Sequence, residues 1–163
     1  NLGCYLNKLE VIKKCSQPHV LLIDSDNIID AGYVRKAIEN IDGESIIAPS
    51  RALPHFDYTS LIGTLDKSCL ADIRHNGTLE CLANTCNYVV PRDKFMEFLP
   101  NLDSEFNPKG VDSLYIFVQW LKKGFKVKVI EGMEYLHEIR HHDSVYLKTE
   151  NPGELKEIIL QGI

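Results

Sequence analysis

His19-Val20-Leu21-Leu22-Ile23-Asp24-Ser25-Asp26-Asn27 is the stretch on which the fold turns. Its apolar run is too short for a helix and ends abruptly in two carboxylates and an amide, which predicts a buried strand running into a turn. Upstream, Leu2, Leu6, Leu9, Val11 and Ile12 recur at helical spacing, with Lys8, Lys13 and Lys14 on the other faces. That pattern predicts an amphipathic helix over 2–15, stopped by Ser16-Gln17-Pro18. Downstream, Asp30 is placed to cap a helix over about 31–41, whose apolar stripe is Tyr33, Val34, Ala37, Ile38 and Ile41. Asp42-Gly43 closes it, and Ser45 to Ala48 reads as the next strand. Helix, strand, helix, strand in this order predicts an α/β layer with a mainly parallel sheet.

The remaining pattern is uneven. Residues 49–80 mix Pro, His, Asp and Gly and carry one weak helical pattern over 58–70, so loops, a helix and short edge strands are expected there. Leu79 to Val90 reads as strand structure ending in Asn87-Tyr88-Val89-Val90, and Asp93 to Phe98 as a short helix. Phe106-Asn107-Pro108-Lys109-Gly110 is a turn cluster. Residues 112–123 give the clearest helix, with Leu114, Phe117, Val118 and Leu121 inward and Gly124 as its stop. Phe125 to Ile130 alternates as a half-exposed strand, and a last surface helix begins at Asn151. No internal repeat is present.

At 163 residues the chain has the length of one domain, 1–163, and its 44% hydrophobic and 25% charged content is that of globular proteins. Eighteen basic against 23 acidic side chains leave a net charge of −5, which argues against a general nucleic-acid binder. No apolar run approaches the roughly 18 residues of a membrane span, and no secretory signal is seen. Five cysteines without a C-x-x-C pair read as reduced, mostly buried thiols of a cytoplasmic protein and argue against a zinc site. The first residue is Asn1 rather than Met, so a piece of a longer polypeptide is expected.

Three features carry chemistry. Asp24-Ser25-Asp26 ends a strand, where ligands gather in open α/β sheets, and its two carboxylates suit a hard cation such as Mg²⁺ or Mn²⁺. The same residues are also common in a plain strand-ending turn. Asp112, after Gly110-Val111, starts the clearest helix; it is either a helix-capping residue or a general base. His137, His141 and His142 fall within six residues directly after a strand, and imidazole is a frequent metal ligand. Arg140 lies among them, suited to a phosphate.

Taken in order, these features resemble the catalytic domain of family 2 nucleotide-sugar glycosyltransferases of the GT-A fold, over Asn1 to about Leu147. Asn1-Leu2-Gly3 and the strand running into Asp24-Ser25-Asp26 look like that family's approach to its D-x-D motif. Asn87-Tyr88-Val89-Val90-Pro91-Arg92 and Phe95 are similar to its strand lining the sugar and acceptor site. Asp103-Ser104-Glu105-Phe106, Gly110-Val111-Asp112 and Leu121-Lys122-Lys123-Gly124 follow in its order, and Tyr135, His137 and Ser144 look like its metal-binding tail.

The resemblance implies a Rossmann-like three-layer sandwich and transfer of a sugar, with inversion, from a nucleotide-diphosphate donor to a glycan, lipid-linked or protein acceptor. It implies Asp112 as catalytic base, with Asp24, Ser25, Asp26, Asn87 and Arg140 on the donor. It also implies Mn²⁺ or Mg²⁺ on Asp24, Asp26 and His137, and a cytoplasmic or membrane-peripheral setting. Two departures stand out. Val111 replaces the family's usual Glu, and the family's first β-α-β unit, which holds the nucleoside, has no counterpart and is expected upstream. A non-catalytic binding or scaffold domain of the same fold is therefore the rival reading. A phosphatase using Asp24 as nucleophile needs its motif on the first strand with a downstream Lys and an acidic pair, an order not found here.

Overall fold

The computed structural model describes residues 4–85, 87–102, 106, 108–138, 151–161 and 163. Helix α1 (Cys4–Lys14) buries Tyr5, Leu9 and Ile12, one stripe at helical spacing. Strand β1 (His19–Leu21) follows, then β2 (Asn27–Ile28). Helix α2 (Ala31–Asn40) is capped as expected, the Tyr33 N–H donating to Asp30 Oδ1 at 2.8 Å. Strand β3 (Ser45–Leu53) is longer than its apolar run suggests. It continues past Pro49, which lacks an N–H, and its register slips between Pro49 and Arg51. β4 (Phe56–Asp57), β5 (Gly63–Leu65), α3 (Gly77–Asn84), β6 (Val89–Pro91) and α4 (Arg92–Phe98) come next, followed by α5 (Asp112–Lys122), β7 (Lys126–His137) and α6 (Pro152–Leu160).

The seven strands form one sheet in the order β1-β6-β3-β7-β2, with β4 added to β3 and β5 added to β7. The α/β class holds, but the mainly parallel sheet does not. Among the described residues only β3 and β7 pair in parallel, and every other pairing is antiparallel. The physical reason lies in the connections. β1 and β3 do run the same way, as helix–strand alternation implies, but β6 lies between them, antiparallel to both. β4 returns on β3 after the two residues Pro54-His55, and so short a link permits only an antiparallel partner.

Three further expectations change. Residues 77–84 are helix α3 rather than strand, because Asn76 Oδ1 accepts the Leu79 N–H at 3.0 Å and Leu79, Leu82 and Ala83 then face the core together. Residues 58–70 hold no α-helix; they form 3₁₀ turns (Thr59–Leu61 and Lys67–Asp72) flanking β5. The thiols are less buried than expected. Cys4, Cys15 and Cys69 are half-buried and Cys81 is exposed, all four unpaired.

Helix α5 is the centre of the molecule. Beyond the four inward residues expected, Tyr115, Ile116 and Trp120 are buried as well. A helix apolar on every side must be covered on every side; α1, α3, α6 and β7 all pack on it. Gly124, at φ +86°, supplies the left-handed residue that ends it, its N–H donating to Leu121 O at 2.9 Å. Among the described residues no helix is long and apolar enough to cross a membrane.

Candidate functional site

The D-x-D triplet sits on a β-turn. The Asn27 N–H donates to Asp24 O at 3.0 Å, so Asp24, Ser25, Asp26 and Asn27 are its four corners, and β2 starts at the fourth. The turn is held from beneath by Asn87, which is 1% exposed. Asn87 Oδ1 accepts from the Asp24 N–H and from Asn27 Nδ2, each at 3.1 Å. Its Nδ2 donates to Thr85 Oγ1 at 3.0 Å, and Thr85 in turn shares a hydrogen bond with the Tyr135 hydroxyl. The Tyr33 hydroxyl closes the network by donating to Asn87 O at 2.8 Å. Asn87 therefore works behind the surface, as the peg that positions the turn.

His137 ends β7 directly opposite Asn27, and its Nδ1 lies 3.0 Å from Asn27 Oδ1. Its ring sits among Phe56 at 5.4 Å, His55 at 5.9 Å and Tyr135 at 6.2 Å. At the N-terminus of α5, the Asp112 carboxylate, 5% exposed, takes an ion pair from Lys8 Nζ at 2.6 Å. Lys8 also donates to Ser113 Oγ at 3.1 Å. Asp24 comes close to all of these. It reaches solvent, but protein atoms crowd it, and that crowding is the largest influence pushing its carboxyl above the usual range. The Lys8 charge pulls the other way, Asp26 and Asp112 push upward again, and His137 pulls down. No described residue donates to the Asp24 carboxylate.

Asp26, Asp112 and His137 thus all lie close enough to Asp24 to act on its charge. Among the described residues no three His, Cys, Asp or Glu side chains are grouped to hold an ion. His137 is turned into the Asn27 contact and an aromatic surround, and the cation next to Asp112 is the chain's own Lys8. The residues present thus do not fit Mn²⁺ or Mg²⁺ on Asp24, Asp26 and His137. Ser25 is exposed in the turn. Arg140, His141, His142, Ser144 and Asp103-Ser104-Glu105 lie outside the described residues.

No family model matches this sequence, and no solved structure matches it. One curated protein does. The DNA-dependent protein kinase catalytic subunit of Dictyostelium discoideum is 33% identical over 162 residues, which cover 90% of this chain and 4% of that protein. The relative is a kinase subunit, not a glycosyltransferase. That match overturns the glycosyltransferase resemblance, and with it the nucleotide-sugar donor and glycosyl acceptor that the resemblance implied. Local motif order misled here because each piece is cheap: a strand-ending D-x-D and a capping Asp recur for purely structural reasons.

Sequence reasoning missed Lys8 and Asn27. Asn27 was signalled by its place right after the triplet. Lys8 carried no signal, since its partner is 104 residues away. A double-mutant cycle measures that pair. Lys8→Met leaves Asp112 charged, enclosed and unpaired, and is expected to cost about 2 kcal/mol, below the full buried-pair figure because Lys8 is partly wet. Adding Asp112→Asn removes the stranded charge, and most of the loss is expected to return in urea midpoints.

Proposed function

We propose that this chain is a non-catalytic α/β binding module whose Asp24–Asp26–Asp112 end receives a basic group from a peptide. The observation that carries the reading is the Asp24 carboxylate: crowded, near Asp26 and Asp112 with Lys8 as the charge that offsets them, and accepting no hydrogen bond from a described residue. An ammonium or guanidinium meets that need with a charge-assisted hydrogen bond, worth about 1.5–3 kcal/mol. Turnover fits less well, because Asp112 already holds Lys8 at 2.6 Å and must break that pair to take a proton.

The relative's name speaks of DNA and of protein phosphorylation. A chain of net charge −5 has little to offer a phosphate backbone. The sequence also holds none of the G-x-G-x-x-G, H-R-D or D-F-G motifs of protein kinases. We assign those activities of the relative to parts of it outside the matched 4%. The unpaired thiols of Cys4, Cys15, Cys69 and Cys81 suit a reducing, cytoplasmic setting; burial pushes the Cys69 thiol up to about 11, which keeps it protonated and unreactive.

The test is titration of the chain with a tri-arginine peptide, followed by NMR at the amides of 24–27. Shifts that saturate, and an affinity that falls about tenfold in Asp24→Asn, support the reading. Equal affinity in the variant overturns it, as does Mn²⁺ competing the peptide away from Asp24 and His137. The pH dependence gives an independent check. A carboxyl raised in the folded state binds more protons folded than unfolded, so stability falls as pH rises from the unfolded pKa of about 3.9 through the folded one. Asp24→Asn is expected to remove that slope and to raise the neutral-pH urea midpoint.

A further inference from the structure

We infer that the partner bearing this basic group is an extended peptide that adds as a strand to the free edge of β1, seating an apolar side chain in the groove between β1 and α2. This inference rests on the basic-ligand reading above and names the form of the ligand.

Strand β1 is the end of the sheet, with β6 on one side and no described strand on the other. The pairing tells which groups are free. Leu22 N–H donates to Tyr88 O and Arg92 N–H donates to Pro18 O, in register with Val20 opposite Val90, so the even-numbered residues face β6. By the alternation of an antiparallel ladder, the N–H and C=O of His19 and Leu21 point to the open edge. Only another backbone offers donors and acceptors at that repeat.

The side chains on the same stretch make a seat. His19 and Leu21, two apart and so on one face, line a groove of about 160 Å³ with Tyr33, Val34, Ala37, Ile38 and Ile41 of α2, and Val89 of β6. Three of these residues are exposed although apolar, Ile38 at 64%, Val34 at 39% and Leu21 at 36%, with Ile23 at 38% next along the edge. A contiguous apolar strip of this kind marks a contact surface. The groove holds an aliphatic side chain or two, not a helix.

Charge complementarity fixes the occupant. The open edge runs from Leu21 straight into the Asp24-Ser25-Asp26 turn, three residues or about 10 Å further on. A strand lying on β1 with a branched apolar residue in the groove therefore brings a residue one or two alternations away over Asp24. In an extended basic-apolar peptide that residue is Arg or Lys. Backbone, apolar pocket and carboxylate are then met by one ligand. A second copy of this chain meets the first two but brings the same acidic turn.

The test uses acetyl-Arg-Ser-Val-Ser-Arg-amide, with a basic residue one alternation from the valine on each side so that either strand direction is served, and the same peptide N-methylated at its valine and serines. The parent peptide is expected to slow amide exchange at His19 and Leu21 and to shift the resonances of Ile38 and Asp24. N-methylation deletes backbone donors without touching charge or side chains, and is expected to weaken binding about tenfold for two lost hydrogen bonds. Ile38→Asp, exposed and therefore neutral for folding, is expected to weaken the parent peptide as well. Equal binding of both peptides, still weakened by Asp24→Asn, sinks the strand while leaving the basic-ligand reading intact. Failure of both peptides and of tri-arginine sinks both. Protection of the His19 and Leu21 amides that grows with chain concentration and needs no peptide assigns the edge to a second copy, and overturns the inference.

Discussion

Trp120→Ala is expected to cost about 3–5 kcal/mol, a large share of the stability of a domain this size. Trp120 is fully buried. Its ring stacks on Phe125 at 4.4 Å and on Phe95 at 6.1 Å, and meets Phe98 edge-on at 5.2 Å. Its indole N–H donates to Lys126 O at 2.8 Å, tying the end of α5 to the first residue of β7. Truncation leaves a cavity among three rings and an acceptor without a partner. Trp120→Phe keeps most of the volume and loses the hydrogen bond, so about 1–2 kcal/mol is expected. Urea midpoints followed by circular dichroism check both. The parent's fluorescence reports the same cluster, since the chain has a single tryptophan. A small loss in the alanine variant would mean that α5 repacks without its anchor.

That cluster also shows what the sequence made legible. The apolar spacing of 112–123 predicted α5 almost to the residue, and the Asp30 cap predicted α2, because both signals are local. The coverage of α5 on every side was not legible, since Tyr115 and Trp120 are tolerated on either face of an amphipathic helix. Sheet direction was not legible either. The strand pattern of Val89–Pro91 says nothing about its insertion between β1 and β3, which is decided by contacts between residues far apart in the sequence, such as Val20 with Val90 and Ile47 with Val89. At the site the same division holds. A carboxylate turn at the end of β1 could be read from six residues, whereas Lys8 meeting Asp112, and His137 turning to Asn27, depend on how distant elements pack. The functional misreading has this origin: local motifs were right about the turn and silent about the groups that complete it.

The strongest link between fold and site is Asn87, and Asn87→Ala is expected to cost about 2–4 kcal/mol. The side chain is buried and uses its oxygen twice and its nitrogen once. Alanine strands the Asp24 N–H and the Asn27 side-chain amide around a small cavity, while the Thr85 hydroxyl loses one donor and keeps Tyr135; a buried group left unpaired costs more than a hydrogen bond gains. The loss is not confined to stability. Asp24 and Asn27 are the first and last corners of the turn, so both lose the peg that sets where the Asp24 carboxylate points. Binding of the tri-arginine peptide is therefore expected to weaken under conditions where the variant is still folded. Asn87→Asp separates the two roles. It keeps an acceptor for the Asp24 N–H and Asn27 Nδ2 but sets a second carboxylate beside Asp24, in a place where burial favours the neutral acid. Its deficit is expected to be larger at pH 7 than at pH 4, because a carboxyl raised on folding destabilises the native state only once pH climbs past the unfolded pKa. A variant that keeps the parent's urea midpoint, with the amide resonances of 24–27 unmoved, would show that the turn stands without Asn87.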